Sequence, residues 1–353
     1  MKARIVIGSN YGDEGKGTVV ATYSKKGNDV LNILTNGGAQ RGHSILTEEG
    51  SMTFQHFGSG TYYGADNYYS RFFILNPMQF VREYDGLIVN PRYIYRDKKC
   101  RWSTPYDSMA NLITEQQKKT HSSCCMGIWN TVKRYTETKT ITFDEFLSSP
   151  NPFLYLNSVK RYYEGMLTIP NDYKGIWNSH YLAYHFFQDC KFMGEHTIPY
   201  ELSDLEYDEL IFENGQGLLL CDTGKDTYDT TPSNTGIRDS IELLKGLYVD
   251  DITAHYVTRP YLTRHGDGNI TDESDRKIIS SDISEDRTNH FNDFQGEFRY
   301  GLLDINALKE RVEKDAGGIK YEIELTHCDE MDRTSEFSKI FNKVNIYDTA
   351  LIK

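Results

Sequence analysis

The sequence predicts an α/β protein with a mainly parallel central sheet, helices on both faces and a nucleotide site of the phosphate-loop kind. Apolar runs of strand length recur along the chain, and each ends in a polar loop, usually with glycine or Asn-Pro. Stretches of helical character lie between them, the interleaving that builds a parallel sheet. The first apolar run opens directly into "GSNYGDEGKG", residues 8–17, and then into a helix. Ligands on such sheets sit beyond the carboxyl ends of the strands, so a site is expected at that loop.

Element by element, "ARIVIG" (3–8) reads as a buried strand and "GTVVATYSKKG" (17–27) as a helix running into a glycine stop. "DVLNILTNGG" (29–38) reads as a second strand, and "FFILNP" (72–77) and "GLIVNP" (86–91) as strand-like runs closed by Asn-Pro. The stretch from about 105 to 205 is polar and aromatic, helical in places such as "SHYLAYHFFQDCKF" (179–192). Three more strands follow in "YDELIFENGQG" (207–217), "DDITAHYVTRP" (250–260) and "IKYEIELTHCD" (319–329). With no repeat, low-complexity tract or obvious linker, the expectation is a single domain over 1–353 with a helical insertion around 105–205.

Composition narrows the partners. A chain of 353 residues with 38% hydrophobic content can bury a large core. Its net charge of −12 argues against a general electrostatic grip on nucleic acid and leaves room for a local basic pocket. Six cysteines without a C-x-x-C pair, no signal-peptide pattern and no 18-residue apolar run point to a reduced, cytoplasmic protein with small-molecule partners and no membrane.

The loop departs from an ordinary phosphate loop at two positions. Counting from Gly15-Lys16, Asn10 stands at the first glycine position and Gly17 where a metal-binding hydroxyl is expected. Gly12, Gly15 and Gly17 still permit close approach to an anion at a helix N-terminus, and Lys16 adds charge. Asp13 and Glu14 would repel phosphates unless one coordinates a metal or works as a base. In "TNGGAQRGHS" (35–44), His43 lies in a glycine-rich turn after the second strand, facing the same crevice. A histidine and an aspartate across a reacting bond make an acid and base couple near neutral pH.

"GSNYGDEGKG" with "NGGAQRGHS" resembles the adenylosuccinate synthetase family, whose patterns are G-D-E-G-K-G and G-G-x-N-x-G-H-T. The resemblance continues in order through "FENGQGLLLCDTGKDTYDTTPSNTG" (212–236), "YVTRP" (256–260), "QGEFRYGLLD" (295–304) and "LTHCDEMD" (325–332). It implies a ligase that joins L-aspartate to the 6-oxo position of a purine nucleotide through a 6-phosphoryl intermediate, driven by GTP or ATP. By resemblance Asp13 removes the proton from ring nitrogen 1, His43 stabilises the oxygen and the transferring phosphate, and Gln216 contacts the purine. Gly12, Glu14, Gly15, Lys16, Gly17, His43 and Asp329 bind the triphosphate. Asn10, Asp13, Gln40, Thr231 and Ser122 or Ser123 serve the monophosphate, Gln295 and Arg299 the aspartate, and Asp13 with Gly42 the magnesium.

The chain is similar in compactness to archaeal and phage-encoded members, some of which act on dGMP. Where the family carries T-G-R-R-R, this sequence has Gln295-Gly296-Glu297-Phe298-Arg299, and His327 replaces the lysine beside Asp329. Arg259 or Arg264 is a candidate to compensate. The retained Asp13 favours IMP, and the missing ribose-facing arginine favours a deoxynucleotide such as dGMP; IMP stands slightly ahead. The resemblance also implies a homodimer with an arginine crossing into the neighbour's site, for which Lys133, Arg134 and Lys139 are the nearby cations. A non-catalytic nucleotide-binding regulator and a different phosphate-loop enzyme remain as alternatives.

Overall fold

A computed structural model of the chain describes residues 1–47, 50–118, 123–221, 230–286, 289, 291 and 294–348. Nine strands form its main sheet. In chain order they are β1 (Lys2–Gly8), β2 (Val30–Leu34), β3 (Asp66–Tyr69), β4 (Ile94–Arg96), β5 (Ile198–Pro199), β6 (Glu209–Gly217), β7 (Asp251–Thr258), β8 (Tyr321–Leu325) and β9 (Val344–Ile346). Across the sheet the order is β9, β8, β7, β1, β6, β2, β3, β4, β5, and every neighbouring pair is parallel.

The central strands carry the most continuous apolar runs because both of their faces are covered. Ile5, Val6 and Ile7 of β1 are fully buried, with alternate side chains feeding different core clusters. Helix α1 (Lys16–Lys26) follows β1 and ends with Lys25 and Lys26 in its last turn, where cations suit the helix dipole. Helix α2 (Ile305–Ala316) starts at Asp304, whose carboxylate accepts the Asn306 and Ala307 N–H groups, and stops at Gly317. Six helices between Pro105 and His196 build a second, aromatic-rich core around Trp102, Trp177 and Phe186.

Two strand expectations are corrected. "GLIVNP" forms no strand: Ile88 and Val89 are exposed, and the sheet partner is β4, beyond the Asn-Pro stop. Ile88 and Val89 stay at the surface with no layer covering them, and Ile94–Arg96 takes the position beside β3 instead. "FFILNP" contributes only Ile74–Leu75, paired with Arg101–Trp102 outside the main sheet. That small ladder still matters, because the Ile74 N–H donates to the Gly37 carbonyl at 2.8 Å and pins the loop after β2. His43 likewise does not lie in the turn itself; it opens the strand His43–Thr47, antiparallel to Gly50–Phe54.

Candidate active site

The loops after β1, β2, β6, β7 and β8 converge at the carboxyl edge of the sheet. Glu14 organises the first of them. Its carboxylate turns inward, with Oε1 accepting the N–H groups of Asn10 at 2.8 Å and Gly12 at 2.9 Å. The negative charge expected beside the phosphates therefore closes the loop on itself, 3.7 Å from the Lys16 ammonium. Lys16 in turn donates to the Gly12 carbonyl. Burial pulls its ammonium below the ordinary lysine value, against the opposing pull of Glu14 and Asp13.

Asn10 is spent in the same framework. Its amide donates to Thr258 Oγ1 at 3.0 Å, and Arg311 of α2 donates to Asn10 Oδ1 at 2.6 Å and to the Ser9 carbonyl at 2.8 Å. Thr326, after β8, donates to the Glu14 carbonyl at 2.6 Å, and Arg259, after β7, to the Asp13 carbonyl at 2.7 Å. Three separate elements thus hold the loop in place. Helix α1 begins at Gly15, φ 92°, with no side-chain cap, so its first N–H groups stay open towards the cleft.

Two adjoining chambers occupy this edge, a larger and a smaller when their open mouths are counted, of about 950 and 740 Å³. The larger is lined by the start of α1, His43, Arg259, Asp286, His327 and Glu330, among others. The smaller is lined by Gln40, Arg41, Cys124, Met126, His265 and Gln295, among others. Asp13 and Gly42 line both. Burial raises the Asp13 carboxyl above its usual range, while Lys16 pulls the other way. A group with that balance suits a base, since a raised proton affinity strengthens it while the nearby cation opposes its protonation.

His43 is buried beside Glu213 of β6, with Nδ1 2.5 Å from Glu213 Oε1. The same oxygen meets Arg41 Nη2 at 2.7 Å and Ser59 Oγ at 2.7 Å, and Oε2 accepts the Ser59 N–H at 2.9 Å. Burial alone would raise the Glu213 carboxyl, but Arg41, His43 and Ser59 together hold it well below the usual carboxylate range. Burial, reinforced by Arg41, lowers His43 to about 3, so the ring is neutral. An ionised carboxylate only accepts, which puts the ring proton on Nδ1.

Backbone strain gathers here. Of four non-glycine residues with positive φ among those described, Cys125 and His327 lie in loops bordering the cleft and Gln216 near the end of β6. Gln216 reaches φ 58° where β6 slips register against β1 between Val6 and Gly8, a bulge that re-aims its side chain. Its Oε1, and both amide atoms of Gln40, are buried with no partner. The two amides flank Gly37, where an added Cβ would stand 3.1 Å from Gln40 Nε2 and 3.2 Å from Gln216 Oε1. Unpaired buried amides at one spot mark where a polar ligand edge is accommodated.

The remaining expected residues scatter. Asp329 is exposed on the turn after β8, next to the cleft residues His327 and Glu330. Gln295 lines the smaller chamber, whereas Arg299 donates to the carbonyls of Gly266 at 2.8 Å and Gly268 at 2.6 Å. Ser123 donates to Asn111 of the preceding helix at 3.0 Å, and Thr231 is buried beside Leu220. Ser122 lies outside the described residues. Neither proposed compensating arginine is spare: Arg259 pairs with Asp286 at 2.7 Å, and Arg264 donates to the Asp267 and Asn269 carbonyls. Arg134 does not project towards a neighbour, because its guanidinium is buried against Asp107 at 2.8 Å. Arg41, Glu213 and Ser59 were not singled out in the sequence. Glu213 stands in the segment "FENGQG" that carries part of the resemblance, a signal that could have found it.

A family model described as adenylosuccinate synthetase matches residues 5–342. The adenylosuccinate synthetase of Mycoplasma mycoides is 24% identical over 345 residues, covering 94% of this chain and 77% of that one. That of Finegoldia magna is 25% identical over 287 residues, covering 77% and 66%. The match to the Borrelia duttonii synthetase is 29% identical over 118 residues and covers 33% of this chain but only 27% of that protein. In that match the chain spans about a quarter of its relative's length.

Two solved structures share the fold. A fully ligated adenylosuccinate synthetase from Plasmodium falciparum superposes with a TM-score of 0.67 at 18% identity, covering 95% of this chain and 78% of that one. A succinoaminodeoxyadenylate synthetase of cyanophage S-2L, bound to dGMP and dATP, gives a TM-score of 0.64 at 12% identity, covering 98% and 91%. No helix among the described residues is long and apolar enough to cross a membrane.

Proposed function

The chain belongs to the adenylosuccinate synthetase family, and from that premise we propose that it is a C–N ligase joining L-aspartate to carbon 6 of a purine nucleoside monophosphate. One observation carries the reading: two chambers meet at Asp13 and Gly42, with the Glu213-backed His43 in the wall of the larger. The larger chamber takes the nucleoside triphosphate, its phosphates against Gly12, Gly15, Lys16 and Gly17 at the open end of α1. The smaller takes the monophosphate and the aspartate. Gln40 and Gln216 supply amide contacts, and Gln295 and His265 lie towards the amino acid.

In the first step Asp13 removes the proton from ring nitrogen 1, and the 6-oxygen attacks the γ-phosphoryl group, releasing the nucleoside diphosphate. His43, with Nδ1–H fixed on Glu213, aims Nε2 at the reacting oxygens, whose negative charge favours a second ring proton there and makes Nε2–H the donor that stabilises them. In the second step the aspartate amine displaces phosphate from carbon 6. Asp13 and Gly42 fit a magnesium ion, since a carboxylate and a backbone carbonyl are hard oxygen donors and both line the junction of the two chambers. When bound, the ion neutralises charge on the transferring phosphoryl group. Arg299 acts indirectly, fastening the turn that carries His265.

IMP is the acceptor slightly favoured, because Asp13 is retained. A second reading, dGMP, is favoured by Glu297, which stands where the resemblance places a ribose-facing arginine, and the cyanophage fold relative is one bound to dGMP. GTP or ATP serves as donor, and a homodimer is the assembly proposed. The test is a turnover grid: aspartate and magnesium with GTP or ATP against IMP, GMP or dGMP, following diphosphate, phosphate and succinyl-nucleotide. Asp13→Asn and His43→Asn are each expected to abolish turnover with the melting profile retained. Absence of aspartate-dependent product with every acceptor would overturn the reading.

A further inference from the structure

We propose that Arg41 is a positioning residue: it anchors the Glu213 carboxylate and thereby holds His43 with its proton on Nδ1 and its Nε2 facing the nucleotide chamber. The proposal rests on the catalytic reading of His43 given above. Arg41 falls at a position that the pattern G-G-x-N-x-G-H-T leaves open, so nothing in the resemblance assigns it a task.

Its side chain is wholly buried, as is that of Glu213, and Nη2 lies 2.7 Å from Glu213 Oε1. The same Nη2 lies 3.0 Å from His43 Nδ1. Two arrangements of the ring compete. If Nδ1 were bare it could accept from Arg41, but it would then face Glu213 Oε1 at 2.5 Å with no proton between two lone pairs. The short contact decides for Nδ1–H, provided that Glu213 stays ionised. Keeping a carboxylate ionised at full burial requires a counter-charge. Arg41 is the cation in contact with it, while Ser59 contributes only neutral donors.

Nε and Nη1 are buried without partners and Arg41 lines the smaller chamber, so Nη2 is the donor committed to Glu213. An apolar side chain would fill the same space without that penalty. What it could not supply is the positive charge beside Oε1. Without Arg41, Glu213 loses its counter-charge and the ring loses the partner that fixes Nδ1–H, so Nε2 is no longer held towards the reacting oxygens to take up the proton it donates to them.

The test pairs kinetics with a spectroscopic signature. ¹⁵N-imidazole NMR of the full chain, with His43 assigned through His43→Asn, is expected to show the proton on Nδ1. In Arg41→Met the tautomers mix, and kcat falls by at least about tenfold while the KM values move by less than about threefold. Arg41→Lys, which keeps a cation near Glu213, recovers most of the loss. An Nε2-protonated ring in the unmodified protein overturns the proposal, as does Arg41→Met with unchanged kcat or with a defect confined to KM. If Arg41→Met does not fold, the unmodified ring and Arg41→Lys still decide. Lack of turnover with any acceptor removes the catalytic reading, whereas the tautomer result judges Arg41 separately.

Discussion

Replacing Gly17 with serine would restore the hydroxyl of an ordinary phosphate loop, and the expected result is a disabled protein. The first turn of α1 lies directly on the strand His43–Thr47. A Cβ at Gly17 would stand 2.6 Å from the Ser44 carbonyl oxygen and 3.1 Å from the His43 carbonyl carbon. The first approach falls about 0.8 Å short of the 3.4 Å at which ordinary contact begins. Both obstructing atoms are backbone, so no rotamer relieves them and the strand itself must retreat. That retreat carries His43 away from Glu213, taking their 2.5 Å contact to the limit of hydrogen-bond range. Overpacking of this kind costs about 1–3 kcal/mol, and weakening a charge-assisted hydrogen bond adds up to about 1.5–3 kcal/mol. Turnover is expected to fall about a hundredfold, the usual consequence of displacing a reacting group by about 1 Å. Succinyl-nucleotide assays and thermal scans of Gly17→Ser and Gly17→Ala provide the measurement. Alanine lacks the hydroxyl, so similar losses in both variants identify the Cβ as the cause. Gly17→Ser with unchanged turnover and melting temperature would refute the packing argument.

Two further predictions concern stability. His56 is buried neutral, accepting the Asn76 N–H at Nε2 (2.8 Å) and contacting Tyr69 Oη through Nδ1 (3.0 Å). Burial, and then Arg41, lowers it to about 3. Between that value and its ordinary one the unfolded chain binds more protons, so the stabilisation is complete above about pH 6.5 and is lost as pH falls. About 2 kcal/mol should disappear by about pH 5, and His56→Gln should show a shallower acid slope in denaturant melts; equal slopes would exclude His56. Arg134→Met strips Asp107 of its buried partner and is expected to cost about 3–5 kcal/mol. Because Asp107 and Arg134 sit on the two helices flanking loop 123–127, which lines the smaller chamber, acceptor KM should rise as well. A melting temperature within about 1 °C of the parent would contradict the assignment.

Local signals were enough for much of this protein. The apolar runs of β1, β2, β6, β7 and β8 are legible because strands buried on both faces need continuous hydrophobic sequence. The glycines, Asp13, Lys16 and His43 are legible because close approach to an anion and proton transfer restrict the residue types allowed. Strands β3 and β9 were not anticipated, being short and carrying asparagine, aspartate or tyrosine whose fitness depends on their neighbours.

The division of labour within the loop is another matter. Asp13 and Glu14 are adjacent acidic residues, indistinguishable by composition. Only the packed loop turns Glu14 onto the Asn10 and Gly12 N–H groups and leaves Asp13 at the junction of two chambers. The arginines follow the same rule, since their charge is evident from sequence but their partners are not. Arg299 and Arg264 brace loops, Arg134 locks two helices together, and Arg41, 172 residues before Glu213, meets it across the sheet edge. Sequence by itself determined the fold class and the chemical vocabulary of the site, because both depend on local pattern. Which charges face solvent, ligand or one another depends on contacts between residues far apart in the chain, and those the tertiary structure decided.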